Sequence, residues 1–276
     1  MKNRIRWSRL FAVIVLSGFA LGVSTAQTLE TETARLVPAG WWKVGTAYEF
    51  QTSSQGREGA APFLAEYGLS ENLELVLEPV PYTSIRPRVG TQANGPGDFE
   101  VTLVYRFKQE SRSVPALAFA GEVKLPTARN ELIGTEETDY TAYVIASKHF
   151  GHFDAHGNLA YTVPGSPPGT HLNSIVDYAM ALVYRPNPRW ELFGEVLGNT
   201  SSGPEGESPN SGGAPAIVPE ATGGELVGTA GMGRYVRPNL LLFVTISYDS
   251  NNAVQIRPGL TFRFPTGRAG NAAGAK

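Results

Sequence analysis

The stretch Val254 to Phe264, Val-Gln-Ile-Arg-Pro-Gly-Leu-Thr-Phe-Arg-Phe, alternates apolar and polar side chains along its whole length. In an extended chain successive side chains point to opposite faces. Val254, Ile256, Pro258, Leu260, Phe262 and Phe264 therefore share one face, and Gln255, Arg257, Gly259, Thr261 and Arg263 the other. The apolar face is continuous and ends in two aromatics. A transmembrane strand uses all of this, with hydrocarbon outside, a wet lumen inside and an aromatic girdle at the boundary; the edge of a soluble sandwich needs only the alternation. The remaining stretches decide between the two.

Eleven earlier stretches read as strands: 41–51, 61–69, 73–82, 97–107, 114–125, 139–150, 152–163, 173–184, 189–199, 224–236 and 240–249. Trp41 and Trp42 open the first, where an interfacial aromatic belt would lie. Short turns at 70–72, 108–113, 151, 186–188 and 237–239 alternate with longer Gly- and Pro-rich loops at 52–60, 83–96, 126–138, 164–171 and 200–222. Strands of this length exceed the usual sandwich strand of about five or six residues and suit a tilted crossing of a bilayer. The expected fold is all-β: a single antiparallel up-and-down transmembrane β-barrel of about 12 strands, with short periplasmic turns and long extracellular loops. The sixth strand alternates too weakly to say which face points inward.

Before the first strand, Lys2, Arg4, Arg6 and Arg9 precede an apolar run from Leu10 to Val23 and the small residues Ser24-Thr25-Ala26. About 14 apolar residues fall short of the roughly 20 that a helix needs to span a bilayer, so this stretch reads as a cleaved signal peptide. The expected division is 1–26 signal peptide, 27–264 outer-membrane β-barrel and 265–276 flexible C-terminal tail, with the bacterial outer membrane as destination. Cysteine is absent, which removes disulfide scaffolds, thiolate zinc sites and thiol nucleophiles. A net charge of −2 gives no basic surface for nucleic acid.

With the apolar faces toward lipid, Lys43, Glu49, Glu66, Glu74, Glu78, Glu100, Arg106, Glu122, Lys124, Asp154, Asp177, Glu191, Glu195, Glu225, Arg257 and Arg263 face the lumen. Buried charge must pair or be wetted, so these residues line a water-filled channel or form a network that plugs it. A barrel of this size is intermediate between filled eight-stranded barrels and open porins. Catalysis was tested and set aside. Ser147 and His149 share a face of the sixth strand and Asn158 lies on the seventh, but a serine hydrolase is the weaker reading, and no enzyme, cofactor or metal is expected. His152, Asp154 and His156 spread too far along one strand to close on one ion, and Asp249-Ser250-Asn251-Asn252 lacks the glutamate of a calcium loop.

Several motifs together, Gly95-Pro-Gly-Asp98 leading into Phe99–Phe107, Val123-Lys-Leu-Pro-Thr127, Ile145-Ala-Ser-Lys-His-Phe-Gly151 and Arg257–Phe264, resemble the outer-membrane barrel family of meta-pathway phenol degradation proteins. The resemblance implies a barrel that passes small, often hydrophobic or aromatic, molecules. Ala128 stands where that family often has glycine after Pro-Thr, and twelve residues follow Phe264, where barrels commonly end on an aromatic read by the barrel assembly machinery. Expected partners are outer-membrane lipid, that machinery and a small solute. A structural or binding barrel acting through its extracellular loops is the main alternative, and a lipid hydrolase the second.

Overall fold

The structure, a computed structural model, describes residues 29–166, 172–200 and 224–266. Its chain crosses twelve times. The first four crossings are each split in two: β1 (Trp41–Ala47) with β2 (Glu49–Thr52), β3 (Gly56–Ala61) with β4 (Phe63–Ser70), β5 (Leu73–Pro79) with β6 (Tyr82–Pro87), and β7 (Ala93–Gly95) with β8 (Phe99–Lys108). Eight unbroken strands follow: β9 (Ala116–Leu125), β10 (Asp139–Phe150), β11 (Phe153–Val163), β12 (Ile175–Asn187), β13 (Trp190–Asn199), β14 (Leu226–Arg237), β15 (Leu240–Asp249) and β16 (Val254–Pro265).

Every pairing between these strands is antiparallel, and β16 closes the barrel on both halves of the first crossing. Trp41↔Pro265 through Ala47↔Gly259 join β1, and Phe50↔Ile256 through Thr52↔Val254 join β2. Three of the breaks fall beside Pro62, Pro81 and Pro96, which have no N–H to give the ladder. Backbone bonds across the row of breaks keep the wall sealed: Tyr48 N–H to Pro258 O at 3.0 Å, Ala47 N–H to Pro62 O at 3.4 Å and Gly97 N–H to Val80 O at 2.8 Å.

Two expected loops are shorter than the sequence pattern suggested. The 52–60 stretch is a hairpin, with β2 and β3 paired from Glu49↔Ala60 to Thr52↔Arg57, and much of 83–96 lies in β6 and β7. Polar, Gly- and Pro-rich composition made these stretches read as loops, but cross-strand pairing carries the strands through them. Residues 1–28, the core of the 200–222 loop and most of the 265–276 tail lie outside the described residues. At the start of that tail, the Thr266 N–H binds Gly40 O at 2.8 Å.

The outer face is apolar. Met180 is 73% exposed and Leu159 56%, and both sit near mid-strand. At the turn end, aromatics pack in pairs: Phe107 with Phe119 at 4.6 Å, Phe153 with Tyr184 at 4.8 Å and Phe262 with Phe264 at 5.6 Å between centroids. At the loop end the exposed aromatics include Tyr48, Tyr82, Tyr140, Tyr161, Tyr178 and Tyr248, a second girdle whose hydroxyls suit a wet boundary. In β10, Tyr140 and Val144 are exposed while Thr141, Ile145 and Ser147 are buried, so the odd-numbered face points inward.

Hydrocarbon around Met180 makes a specific demand. Met180→Arg should lower stability by about 2–4 kcal/mol in urea unfolding from lipid vesicles, and Tyr178→Arg, nearer the girdle, by about 1 kcal/mol or less.

Candidate functional site

Between Leu29 and Pro38 the chain runs inside the barrel. It passes over Gly68, where Gly40 N–H binds Gly68 O at 2.8 Å and Ala39 makes a bridge to Gly68 before β1 begins. A Cβ at Gly68 would stand 2.2 Å from Pro38 O and 2.5 Å from Val37 O, so only glycine lets the segment through there. A peptide outside the sheet brings N–H and C=O groups without ladder partners into the lumen, and the wall answers them. Glu74 accepts from Val37 N–H, Ser147 Oγ from Ala34 N–H at 2.9 Å, and Glu195 Oε1 from Thr31 N–H at 2.7 Å and Thr31 Oγ1 at 2.5 Å. The Asn158 amide, turned to match them, pairs both backbone groups of Glu32 at 2.5 and 3.0 Å.

Side chains lock the segment further. Ala34 and Leu36 pack with Val104, Ala118 and Ile145, and Leu29 with Val183, Phe193 and Phe243. Arg35 binds Glu110 at 2.5 Å and Asp154 at 2.7 Å. Asp154, fully buried, also pairs with Arg185 and with His149 Nδ1 at 2.9 Å, and Arg185 continues to Glu191 at 2.7 Å. Lys43 and Glu66 form a buried pair at 2.8 Å, and Arg257 holds Glu30 of the segment and Glu49 of the wall. The turn-end half of the lumen is thus filled by the chain's own N-terminal segment.

Toward the loop end a cavity of about 760 Å³ opens above that plug. Among the described residues, twelve carboxylate side chains line it, including Glu30, Glu32, Glu49, Glu66, Glu78, Glu100, Glu122 and Glu225, against only Lys124 and Arg257. Carboxylate oxygens of Glu78, Glu100 and Glu122 all lie within 4.8 Å of one another, a spacing that could hold a cation. Thr102 and Tyr143 each donate to Glu122, at 3.1 and 3.0 Å, and Lys124 binds Asp139 at 2.5 Å.

Ten of the lumen-facing residues read from the sequence sort into two groups. Glu49, Glu78, Glu100, Glu122, Lys124 and Arg257 line the vestibule; Glu74, Asp154, Glu191 and Glu195 lie lower, the first, second and fourth holding the plug. Lys43 is sealed against Glu66. Asp177 accepts from Thr162 Oγ1 at 2.9 Å beside a smaller side cavity, Arg106 turns to the Glu71-Asn72 corner, and Arg263 stands opposite Lys43 near the turn end.

Ser147 does not pair with His149. Its cross-strand neighbour is His156, with Nδ1 2.9 Å from Ser147 Oγ, and the plug covers both. His149 serves Asp154. His152 Nδ1 bonds Arg185 O at 3.0 Å, Asp154 binds Arg35, Arg185 and His149, and His156 bonds Ser147, so the three do not converge on one point. Asp249 Oδ1 accepts the N–H groups of Asn251 and Ala253, each at 2.8 Å, as in an ordinary turn. The plug is what strand-pattern reasoning missed. Its signal was a ten-residue stretch, Leu29-Glu-Thr-Glu-Thr-Ala-Arg-Leu-Val-Pro38, that fits no strand and lies just before the paired tryptophans Trp41 and Trp42.

No family model matches the chain, and no curated protein matches it, so the phenol-degradation resemblance rests on its motifs alone. Solved structures do match in fold. The COG4313 outer membrane channel from Pseudomonas putida F1 is 13% identical at a TM-score of 0.61, covering 83% of this chain and 97% of that one. The NanC porin is 11% identical at 0.56, covering 79% and 98%, and the KdgM porin in complex with oligogalacturonate is 11% identical at 0.53, covering 80% and 99%. The chain has the closed twelve-strand fold of outer-membrane barrel channels.

Two outcomes check the plug. Gly68→Val should push residues 29–38 off the wall, and their amides should lose hydrogen-exchange protection while the barrel strands keep theirs. The second outcome concerns pH. Burial alone would raise the Glu110 carboxyl, but the His149 N–H, Arg35 and Lys148 outweigh it and hold the group below its ordinary range. A depressed carboxylate adds stability above its unfolded pKa and loses it as pH falls through the folded value. Protection of residues 33–36 should therefore fall below about pH 4, and less so in Glu110→Gln, which has no charge there to lose.

Proposed function

We propose that the chain is an outer-membrane channel for small solutes, with cations favoured, whose own N-terminal segment closes the turn-end half of the lumen. The observation that carries this reading is the vestibule: a closed wall encloses about 760 Å³ lined, among the described residues, by twelve carboxylates and two bases, on a floor made by the plug. A low-dielectric wall around charges of one sign focuses their field, concentrating counter-ions and repelling anions. At Glu78, Glu100 and Glu122 a passing cation relieves repulsion among three close carboxylates. The loops would face the cell exterior and the turns the periplasm, as in the barrels it resembles in fold.

Apolar or aromatic solutes are the second reading. It is favoured by Leu132, Ile133, Leu172 and Ile175, which line the same cavity beside the acidic set, and by the sequence resemblance described above. Such a solute would have to cross the acidic lining, which attracts a cation and offers nothing to a hydrocarbon.

Single-channel recording in planar bilayers separates the readings. Deleting residues 29–38 should raise conductance several-fold, and the open pore should prefer potassium to chloride. Glu78→Gln/Glu100→Gln should move the reversal potential toward zero selectivity in a salt gradient. A deletion variant that folds yet conducts no better than the intact chain, or that prefers anions, would overturn the proposal. Accelerated uptake of a neutral aromatic with no cation preference would favour the second reading.

A further inference from the structure

In the loop-end half of the first four crossings the charges are segregated by face. Glu49 and Glu58 point into the vestibule, and they are the only acids of β2, β3, β6 and β7. The bases Arg57 and Arg86 are exposed and absent from the cavity lining. They lie directly opposite one another across the β3–β6 ladder. Arg88 follows two residues on, exposed, its N–H fixed to Gln55 O at 2.8 Å. Among the described residues none of the three guanidiniums has a side-chain hydrogen bond or ion pair. Like charges placed directly opposite on a sheet destabilise the pair unless an anion lies between them.

Their height in the barrel says where that anion would come from. Thr52, which pairs with Arg57, lies ten residues above Trp42 of the turn-end girdle. At ~3.3 Å per residue and a tilt of ~40° that is roughly 25 Å, the height of the apolar band of an outer-membrane barrel. Below the arginines on the same outward face stand Phe50 and Tyr82, 41% and 42% exposed. The guanidiniums therefore emerge at the far boundary of the hydrocarbon, pointing away from the lumen. A guanidinium presents a planar fork of donors that matches phosphate in two-point contact, and two such forks side by side match a phosphate monoester with two or more free oxygens.

We infer that Arg57, Arg86 and Arg88 form an outward-facing site for the phosphate groups of the glycolipid that fills the outer leaflet. The inference rests on reading the chain as an outer-membrane barrel, not on what the lumen conducts. The acids lining the vestibule keep anions out of the pore; the arginines hold them at its outer wall.

The test uses the full chain folded in detergent micelles, with retained lipid read by native mass spectrometry. Probes are bisphosphorylated lipid A, the same lipid with its phosphates removed, and inorganic phosphate. The unmutated protein should retain bisphosphorylated lipid A at least tenfold more tightly than the dephosphorylated form. Arg57→Gln/Arg86→Gln should lose that preference, and Arg57→Lys/Arg86→Lys should keep part of it. Equal retention of the two lipids by the unmutated protein overturns the site, as does undiminished preference in the glutamine variant. Displacement of the lipid by inorganic phosphate at equal concentration shows a free-anion site and overturns the lipid assignment. The comparison of two lipids on the unmutated protein decides even where a variant fails to fold. Fractionation away from the outer membrane would instead sink the underlying reading of the fold.

Discussion

Backbone hydrogen bonding is the constraint from which the rest of this molecule follows. A strand that faces hydrocarbon has no water to satisfy its N–H and C=O groups, so the sheet must meet itself. The pairing of β16 with both β1 and β2 does this along one full crossing. Where prolines withhold an N–H, neighbouring backbone groups bridge the row of breaks and leave the wall continuous. Closure then sorts the side chains. Alternation along each strand sends Met180, Leu159 and the girdle aromatics outward and confines the carboxylates and their partners inside.

The same demand recurs in the interior, one level down. The segment from Leu29 to Pro38 lies outside the sheet, and the barrel satisfies its backbone groups with side chains: Glu74, Ser147, Asn158 and Glu195 act as substitutes for a neighbouring strand. This explains why buried acids are affordable on the inner wall. Some hold the plug, Asp154 is surrounded by Arg35 and Arg185, and Glu66 is neutralised by Lys43. The carboxylates left over gather in the vestibule, where solvent reaches them and where their summed field has the most to act on.

The alternation in 254–264 and its eleven counterparts carried the strand number and the inward sets of β8, β9, β13 and β16, because period two is a property of the extended chain and survives any packing. Less was legible where the cause is non-local. The 52–60 and 83–96 stretches read as loops by their polar, Gly- and Pro-rich composition, yet most of both is strand, because partners on either side hold them in register. Ser147 looked as though it belonged with His149, two residues away on the same face, but the antiparallel ladder places His156 opposite it. The plug left no periodic trace at all: its contacts are spread over strands and turns around the barrel wall, and nothing in ten consecutive residues announces a partner more than a hundred positions away.

The position of Gly68 has a consequence for how such a chain is put together. The plug is continuous with the strand that forms the seam, entering the interior two residues before β1 begins, so the tether and the closing ladder share one corner of the barrel. Sealing that corner with the segment outside would leave it to thread in later past a packed wall. The topology instead favours a biogenesis in which residues 29–38 are tucked in first and the final hairpin is zipped shut around them, making closure of the wall and filling of the lumen two products of one assembly step.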